Sequence, residues 1–254
     1  EFGRRIEQLA LELLSQAERI EAAANKHRGI LTGNIRIATV STGKYVLPYF
    51  LEGFMRKNPG VNISVDVTNK ALVVESLKEN RIDFGLVSVF PEKLAVVGIP
   101  LLPNELYLTA STGFVDLPKR MTKKRLGTLP LIFREEGSAT RSAMSTFLTR
   151  QQIPTKRAMV LVSTEAVKQA VKAGLGLSVL PRIGIRSELQ LGNLQIIPMK
   201  GLPIVTEWNL TYLKGKMHNP ASQALMEYIS HNREQIVQRH FSIEEQGKSL
   251  KRLS

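Results

Sequence analysis

Hydroxyl-bearing residues recur in this chain where an apolar strand-like run gives way to helical spacing, with basic residues close by. Ser41-Thr42-Gly43-Lys44 follows the run ending at Val40, and Ser88 follows Phe84, Leu86 and Val87. Gly137-Ser138-Ala139-Thr140 opens another helical stretch between Arg134 and Arg141, and Ser163-Thr164 precedes a third, beside Glu165. A helix start leaves backbone N–H groups unpaired and carries the positive end of the helix dipole, so it draws anions. Hydroxyls add donors, and Lys44, Arg134 and Arg141 add charge suited to a carboxylate or phosphate. The chemistry indicated is capture of a small anion. A plainer role stands beside each residue. Ser41, Thr42, Ser138 and Thr140 also fit helix caps, Ser88 a turn hydroxyl, and Arg134 and Arg141 the surface; for Ser163 and Thr164 capping is the simpler role.

Bond-making chemistry is not indicated, and no enzyme is expected. There is no Gly-x-Ser-x-Gly elbow, no phosphate-binding Gly-Lys-Ser/Thr loop and no dinucleotide fingerprint. His27, His218, His231 and His240 form no metal pair at one-turn spacing and read as solvated or helix-surface residues. The adjacent Glu135 and Glu136 point apart on any regular element. With no Cys at all, disulfides, thiolate metal sites and Cys nucleophiles are excluded, and no cofactor is expected.

Lys and Arg number 35 against 22 Asp and Glu, a net charge of +13. Such a balance raises the question of nucleic acid. Yet the charges read as spread along the chain, aromatic residues are only 6%, and phosphate binding needs a clustered face. The densest run, Lys119-Arg120-Met121-Thr122-Lys123-Lys124-Arg125, lies between Pro118 and Gly127 and reads as a solvated loop or helix end. No window approaches the ~18 uninterrupted apolar residues of a membrane span, so no membrane partner is expected.

The elements that must position the hydroxyls follow from periodicity. Strands are expected over 34–40, 61–67, 83–89, 105–110, 131–133, 159–162, 177–180, 195–197 and 208–213. Helices are expected over 46–58, 72–79, 139–150, 165–173 and 219–238, the last with Asn219 as cap and Pro220 in its first turn. Leu101-Leu102-Pro103 reads as the close of the first block. The alternation implies parallel sheet covered by helices, in two lobes with a cleft between them. Ahead of the first lobe, Phe2, Ile6, Leu9, Leu13, Ile20 and Ala23 fall at steps of four and three, an a/d seam for pairing helices. No capping residue precedes that helix, and the chain starts without the apolar core of a secretion signal.

Several stretches together resemble the effector domain of LysR-type transcriptional regulators. They are Gly33-Asn34-Ile35-Arg36-Ile37, Asn58-Pro59-Gly60-Val61, Arg81-Ile82-Asp83-Phe84-Gly85-Leu86-Val87, Glu105-Leu106-Tyr107-Leu108, Gly137-Ser138-Ala139-Thr140-Arg141 and the long run from Glu165 to Pro181. The resemblance implies an α/β fold of two Rossmann-like subdomains joined by two crossing strands, like type 2 periplasmic binding proteins. It implies a linker and dimerisation helix over 1–28, a first subdomain over 33–104 plus 207–240 and a second over 105–206. Residues 241–254 read as a frayed tail. It also implies a cytoplasmic homodimer or homotetramer that senses a small, anionic metabolite and reaches promoter DNA through a winged helix-turn-helix outside this sequence. Val40-Ser41-Thr42-Gly43-Lys44-Tyr45 further resembles the branch regulating carbon-fixation operons, and Val67-Thr68-Asn69-Lys70 does so in part. A solute-binding protein for transport, which shares the two-lobed cleft, is the alternative.

Overall fold

The computed structural model describes residues 31–242 continuously and, ahead of them, residues 2, 3, 5, 6, 9, 10, 13, 14, 16, 17 and 20. Those scattered residues are helical, and Phe2, Leu13 and Ile20 are each more than 70% exposed. Ile6 and Leu9 are about half exposed. Ala23, the expected helix end at 28, and 243–254 lie outside the described residues.

The first lobe begins with β1 (Gly33–Val40), β2 (Val61–Thr68) and β3 (Phe84–Val87). They pair in parallel in the order β2-β1-β3. Parallel neighbours need crossovers, supplied here by α1 (Leu47–Lys57) and α2 (Lys70–Lys78). The apolar face of α1, Leu47, Phe50, Leu51 and Phe54, closes one side of the sheet. The closing helix α7 (Pro220–Phe241) adds Leu225 and Ile229 to the same core, and Asn219 caps it by accepting from the Ser222 N–H at 2.7 Å. Each such fully buried Leu, Ile or Phe contributes roughly 1.5–3 kcal/mol. Trp208 is wholly enclosed in this core.

The second lobe holds β5 (Pro130–Arg134) and β6 (Lys156–Leu161), a parallel pair. It also holds α3 (Lys123–Leu126), α4 (Ala139–Arg150), α5 (Thr164–Lys172), β7 (Ser178–Pro181), α6 (Arg182–Gln190) and β8 (Leu194–Ile196). Its interior is divided into two apolar clusters, one around Leu131 and Phe133 and one around Ile132, Val167 and Leu180.

Two antiparallel strands, β4 (Val96–Ser111) and β9 (Ile204–Leu213), run through both lobes. On β4 the first core ends at Leu102 and the second begins at Leu106. Between them Asn104 Nδ2 donates to Thr206 Oγ1 at 3.0 Å, tying the crossing strands where they change lobes.

Three elements depart from sequence expectation. The stretch read as ending at Pro103 and restarting at Glu105 is one 16-residue strand. Pro100 and Pro103 lie where β4 has only β9 as a neighbour, and an edge tolerates a missing N–H. Helix α6 was not anticipated, since Gly184 interrupts its apolar spacing. Its Cα lies so close to lobe one that a Cβ there would stand 3.3 Å from the Tyr45 ring. Finally, Phe241 belongs to α7 rather than to a tail. Its ring stacks on Phe50 and meets Tyr49 edge-on, which holds the last turn.

Candidate functional site

The carboxyl ends of the parallel strands face one another across the lobe boundary, where ligands of open α/β sheets bind. β1 ends into Ser41 and Thr42, β2 into Asn69 and Lys70, and β3 into Ser88; from the second lobe β5 ends at Arg134, and α4 starts behind Ser138. These residues, with Val40, Ala139 and Thr140, close on a cavity of only about 10 Å³, roughly the room for one water, so a ligand enters between them only when the lobes part.

The hydroxyls divide into two groups. Ser41 and Thr164 are spent on closing the lobes. Their oxygens lie 3.0 Å apart, and the buried Arg134 donates from Nη1 to Ser41 at 2.8 Å and to Thr164. Ser138 and Ser163 are spent as caps, accepting from the Arg141 and Ala166 N–H groups at 3.4 and 3.0 Å. By contrast, Thr42, Ser88 and Thr140 make no side-chain hydrogen bond among the described residues. Thr42 precedes the short 3-10 turn Gly43–Tyr45 without capping it, so its buried hydroxyl is left for the cleft.

Charge divides similarly. Arg134 is occupied: Nε and Nη2 grip the Glu135 carboxylate at 2.7 and 2.9 Å. Arg141 donates to the Arg134 carbonyl at 2.9 Å and to Glu136 at 3.2 Å. Both arginines are therefore structural cations with resident partners. Lys70 is different. Among the described residues its Nζ donates only to the Phe90 carbonyl, at 3.2 Å, and partial burial lowers its pKa from the usual lysine value despite nearby Glu92. Across from it, the first-turn N–H groups of Ala139 and Thr140 point from the start of α4 without an intrahelical partner. Gly137 makes that approach possible. Its φ of +83° suits glycine, and a Cβ there would sit 3.1 Å from Ala71 Cβ of the first lobe.

Of the residues singled out in the sequence, Ser41, Thr42, Ser88, Arg134, Ser138 and Thr140 line this cleft, and Thr164 joins them through its bonds. Gly43, Lys44 and Ser163 do not line it. Gly43 is buried against Thr39, whose Oγ1 a Cβ would meet at 1.8 Å, and Lys44 is exposed beside the Tyr45 ring. Asn69 and Lys70 were missed as site residues. The signal was present: Asn69 caps α2 by accepting from the Leu72 N–H at 3.1 Å, a cap at the end of an alternating strand. His218, read as solvated, is half buried and stacked on Phe84 at 5.1 Å, and burial lowers its pKa.

A second bridge lies behind the cleft. The Tyr45 hydroxyl donates to Glu165 Oε2 at 3.0 Å across the lobes, and Lys168 joins Glu165 and Glu188 at 3.0 and 2.9 Å. Burial alone would raise the Glu165 pKa, but hydrogen bonds from Gln169, Lys168 and Tyr45 bring it down to about 2. Burial opposes the Lys168 charge as well, and its two carboxylate partners reverse that, raising its pKa.

Two α/β lobes joined by a crossing strand pair, with a donor-lined cleft between them, define a ligand-sensing domain of the type 2 periplasmic-binding-protein-like class. Residues 28–233 match the LysR substrate binding domain, and the chain belongs to the LysR family. It is 36% identical over 203 residues to a RuBisCO operon transcriptional regulator of Acidithiobacillus ferrooxidans, covering 80% of this chain and 66% of that one. It is 31% identical over 230 residues to the RuBisCO operon transcriptional regulator of Allochromatium vinosum, covering 90% of this chain and 76% of that one. Among solved structures, the Synechocystis PCC6803 CcmR regulatory domain in complex with 2-PG matches with a TM-score of 0.73 and 29% identity. That match covers 83% of this chain and 98% of the other. The chain thus spans about two thirds to three quarters of these curated relatives. The relatives are regulators rather than transport proteins or enzymes, which removes the solute-binding alternative.

Proposed function

We propose that this chain is the sensing and oligomerising part of a cytoplasmic transcriptional regulator, and that the cleft takes a small anionic metabolite. The observation that carries this reading is the convergence on one small space of Thr42, Ser88 and Thr140, whose hydroxyls make no hydrogen bond among the described residues, with Lys70, held there only by the Phe90 carbonyl. The likeness to a regulatory domain in complex with 2-PG supports an effector of that size. An effector held between Thr42 and Lys70 on one wall and Thr140 on the other touches both lobes, so it favours one inter-lobe angle over others. Only such unequal binding can shift an equilibrium between arrangements. Calorimetric titration with 2-PG tests the site. The double variant Thr42→Val, Thr140→Val is expected to bind at least ~10-fold more weakly, about 1.4 kcal/mol, and unchanged affinity would overturn the assignment.

The exposed seam residues Phe2, Ile6, Leu9, Leu13 and Ile20 support a helix pairing with a second copy, and thence a homodimer or homotetramer. Promoter DNA would be reached through a winged helix-turn-helix outside this sequence. Removing residues 1–28 is expected to lower the mass measured by light scattering toward the monomer; an unchanged mass would refute the seam's role.

A further inference from the structure

The positive charge that looks dispersed along the sequence is gathered by folding. Residues 33–105 and 207–242, which build the first lobe, hold 12 Lys and Arg against 10 Asp and Glu. Residues 106–206, which build the second, hold 15 against 5. Within that second lobe Glu135, Glu136, Glu165 and Glu188 are all engaged by Arg134, Arg141 and Lys168 around the cleft. Asp116 is the one remaining carboxylate.

The unneutralised cations are neighbours. Met121 pairs in parallel with Met199, which sets Lys200 level with Thr122, one residue before Lys123. Gly127, just past α3, packs so closely on Pro154 that a Cβ would meet its ring at 3.0 Å, which brings α3 beside Lys156. Gly201 packs on Phe147 and Gln151, which brings Lys200 beside the end of α4 at Arg150. Lys119, Arg120, Lys123, Lys124, Lys156 and Lys200 are exposed at this end of the lobe, and none has an ion-pair partner among the described residues.

We infer that this end of the second lobe is a docking surface for the phosphate backbone of duplex DNA. Its composition decides the partner. Lys-rich, unpaired charge gives salt-dependent attachment to phosphates. Protein interfaces instead centre on aromatic and Arg anchors, and no aromatic side chain of the second lobe is fully exposed, Phe114 beside Lys119 being half-buried. The choice of DNA rests on the reading of the chain as part of a transcriptional regulator; it does not rest on the effector cleft. Contact here would hold flanking DNA against the sensor, adding affinity without adding sequence preference.

The test is fluorescence anisotropy of the 254-residue chain with a labelled duplex of arbitrary sequence, from low to physiological salt. Two variants with equal net charge are compared: Lys119→Glu, Lys123→Glu, Lys124→Glu, Lys200→Glu in the second lobe, and Lys57→Glu, Lys78→Glu, Lys93→Glu, Lys214→Glu in the first. The second-lobe variant is expected to lose at least ~30-fold in affinity. The slope of log affinity against log salt should shrink by about 3.6 if each lysine serves one phosphate. The first-lobe variant should change by no more than about 3-fold, as total charge alone would dictate. Equal losses in both, or no salt-dependent binding by the unaltered chain, would overturn the proposal. So would displacement of the duplex by an acidic polypeptide of matched charge, which would reassign the surface to a protein. Four Lys→Gln changes at the second-lobe positions, gentler on folding, should give an intermediate loss. Titration of the same variants with 2-PG separates this surface from the cleft, because effector binding should be unaffected.

Discussion

The two lobes share an architecture and differ in what they spend their residues on. The first encloses Trp208, Phe50, Phe54 and Phe84 completely in one continuous core. The second divides a leaner interior into two clusters, whose buried aromatics are Phe133 and Phe147. The charge balance runs the other way, near neutral in the first lobe and strongly positive in the second. The first lobe is accordingly the scaffold, and the second is where charge is displayed. The cleft keeps to the same division. Three of its strand ends and Lys70, an ammonium without a carboxylate partner among the described residues, come from the first lobe, and the second contributes helix-start N–H groups and the already neutralised Arg134.

Truncating Trp208 to alanine should be the most damaging change, costing about 3–5 kcal/mol in urea unfolding. Phe147→Ala, at a site that retains some exposure, should cost distinctly less; equal losses would break the contrast between the cores. Next comes Lys70→Met, which should weaken binding of 2-PG by ~10–100-fold, as loss of a charge-assisted bond would. Lys44→Met, outside the cleft, should leave affinity within about 2-fold, and the reverse ranking would return the charge-reading role to the loop after β1. The smallest effect is pH-dependent. Glu165 is ionised in the fold down to about pH 2, against 4.5 ordinarily, so its contribution is complete above pH 4.5 and fades as pH falls toward 2. Because the Glu165 side chain is 40% exposed, solvent screening limits that contribution to under about 1 kcal/mol. Glu165→Gln should therefore lower neutral stability by up to about 1 kcal/mol, flatten the loss of stability between pH 4.5 and 2, and leave stability below that window unchanged. A slope unaltered by the substitution would show that the bridge to Tyr45 does not hold the lobes.

Much of this was legible before folding, where one local rule decided the outcome. The perfect alternation from Val61 to Val67 marked β2, and Asn219 with Pro220 marked the start of α7. The cleft was half legible. Helix starts pointed to Thr42, Ser138 and Thr140, but which hydroxyls are free depends on partners far along the chain. Thr164, 123 residues beyond Ser41, claims it as a neighbour, and Arg134 claims both. The same holds for charge. Arg134 and Lys70 look alike in a sequence, and only the bidentate Glu135 next to one and the lone carbonyl beside the other tell them apart. Clustering of Lys200 with Lys123 was beyond local reading for the same reason.

The crossing pair has one more consequence. Leu106 lies directly opposite Ile204, so the chain leaves the first lobe and returns to it at the same place. The whole second lobe is, in genetic terms, a cassette inserted into a hairpin. Residues 105 and 205 are also partners, so replacing the intervening segment with a two-residue Asn-Gly turn would rejoin β4 and β9 without changing their register. Such a grafting point lets one scaffold carry interchangeable second halves, and with them different sensors and different surface charge.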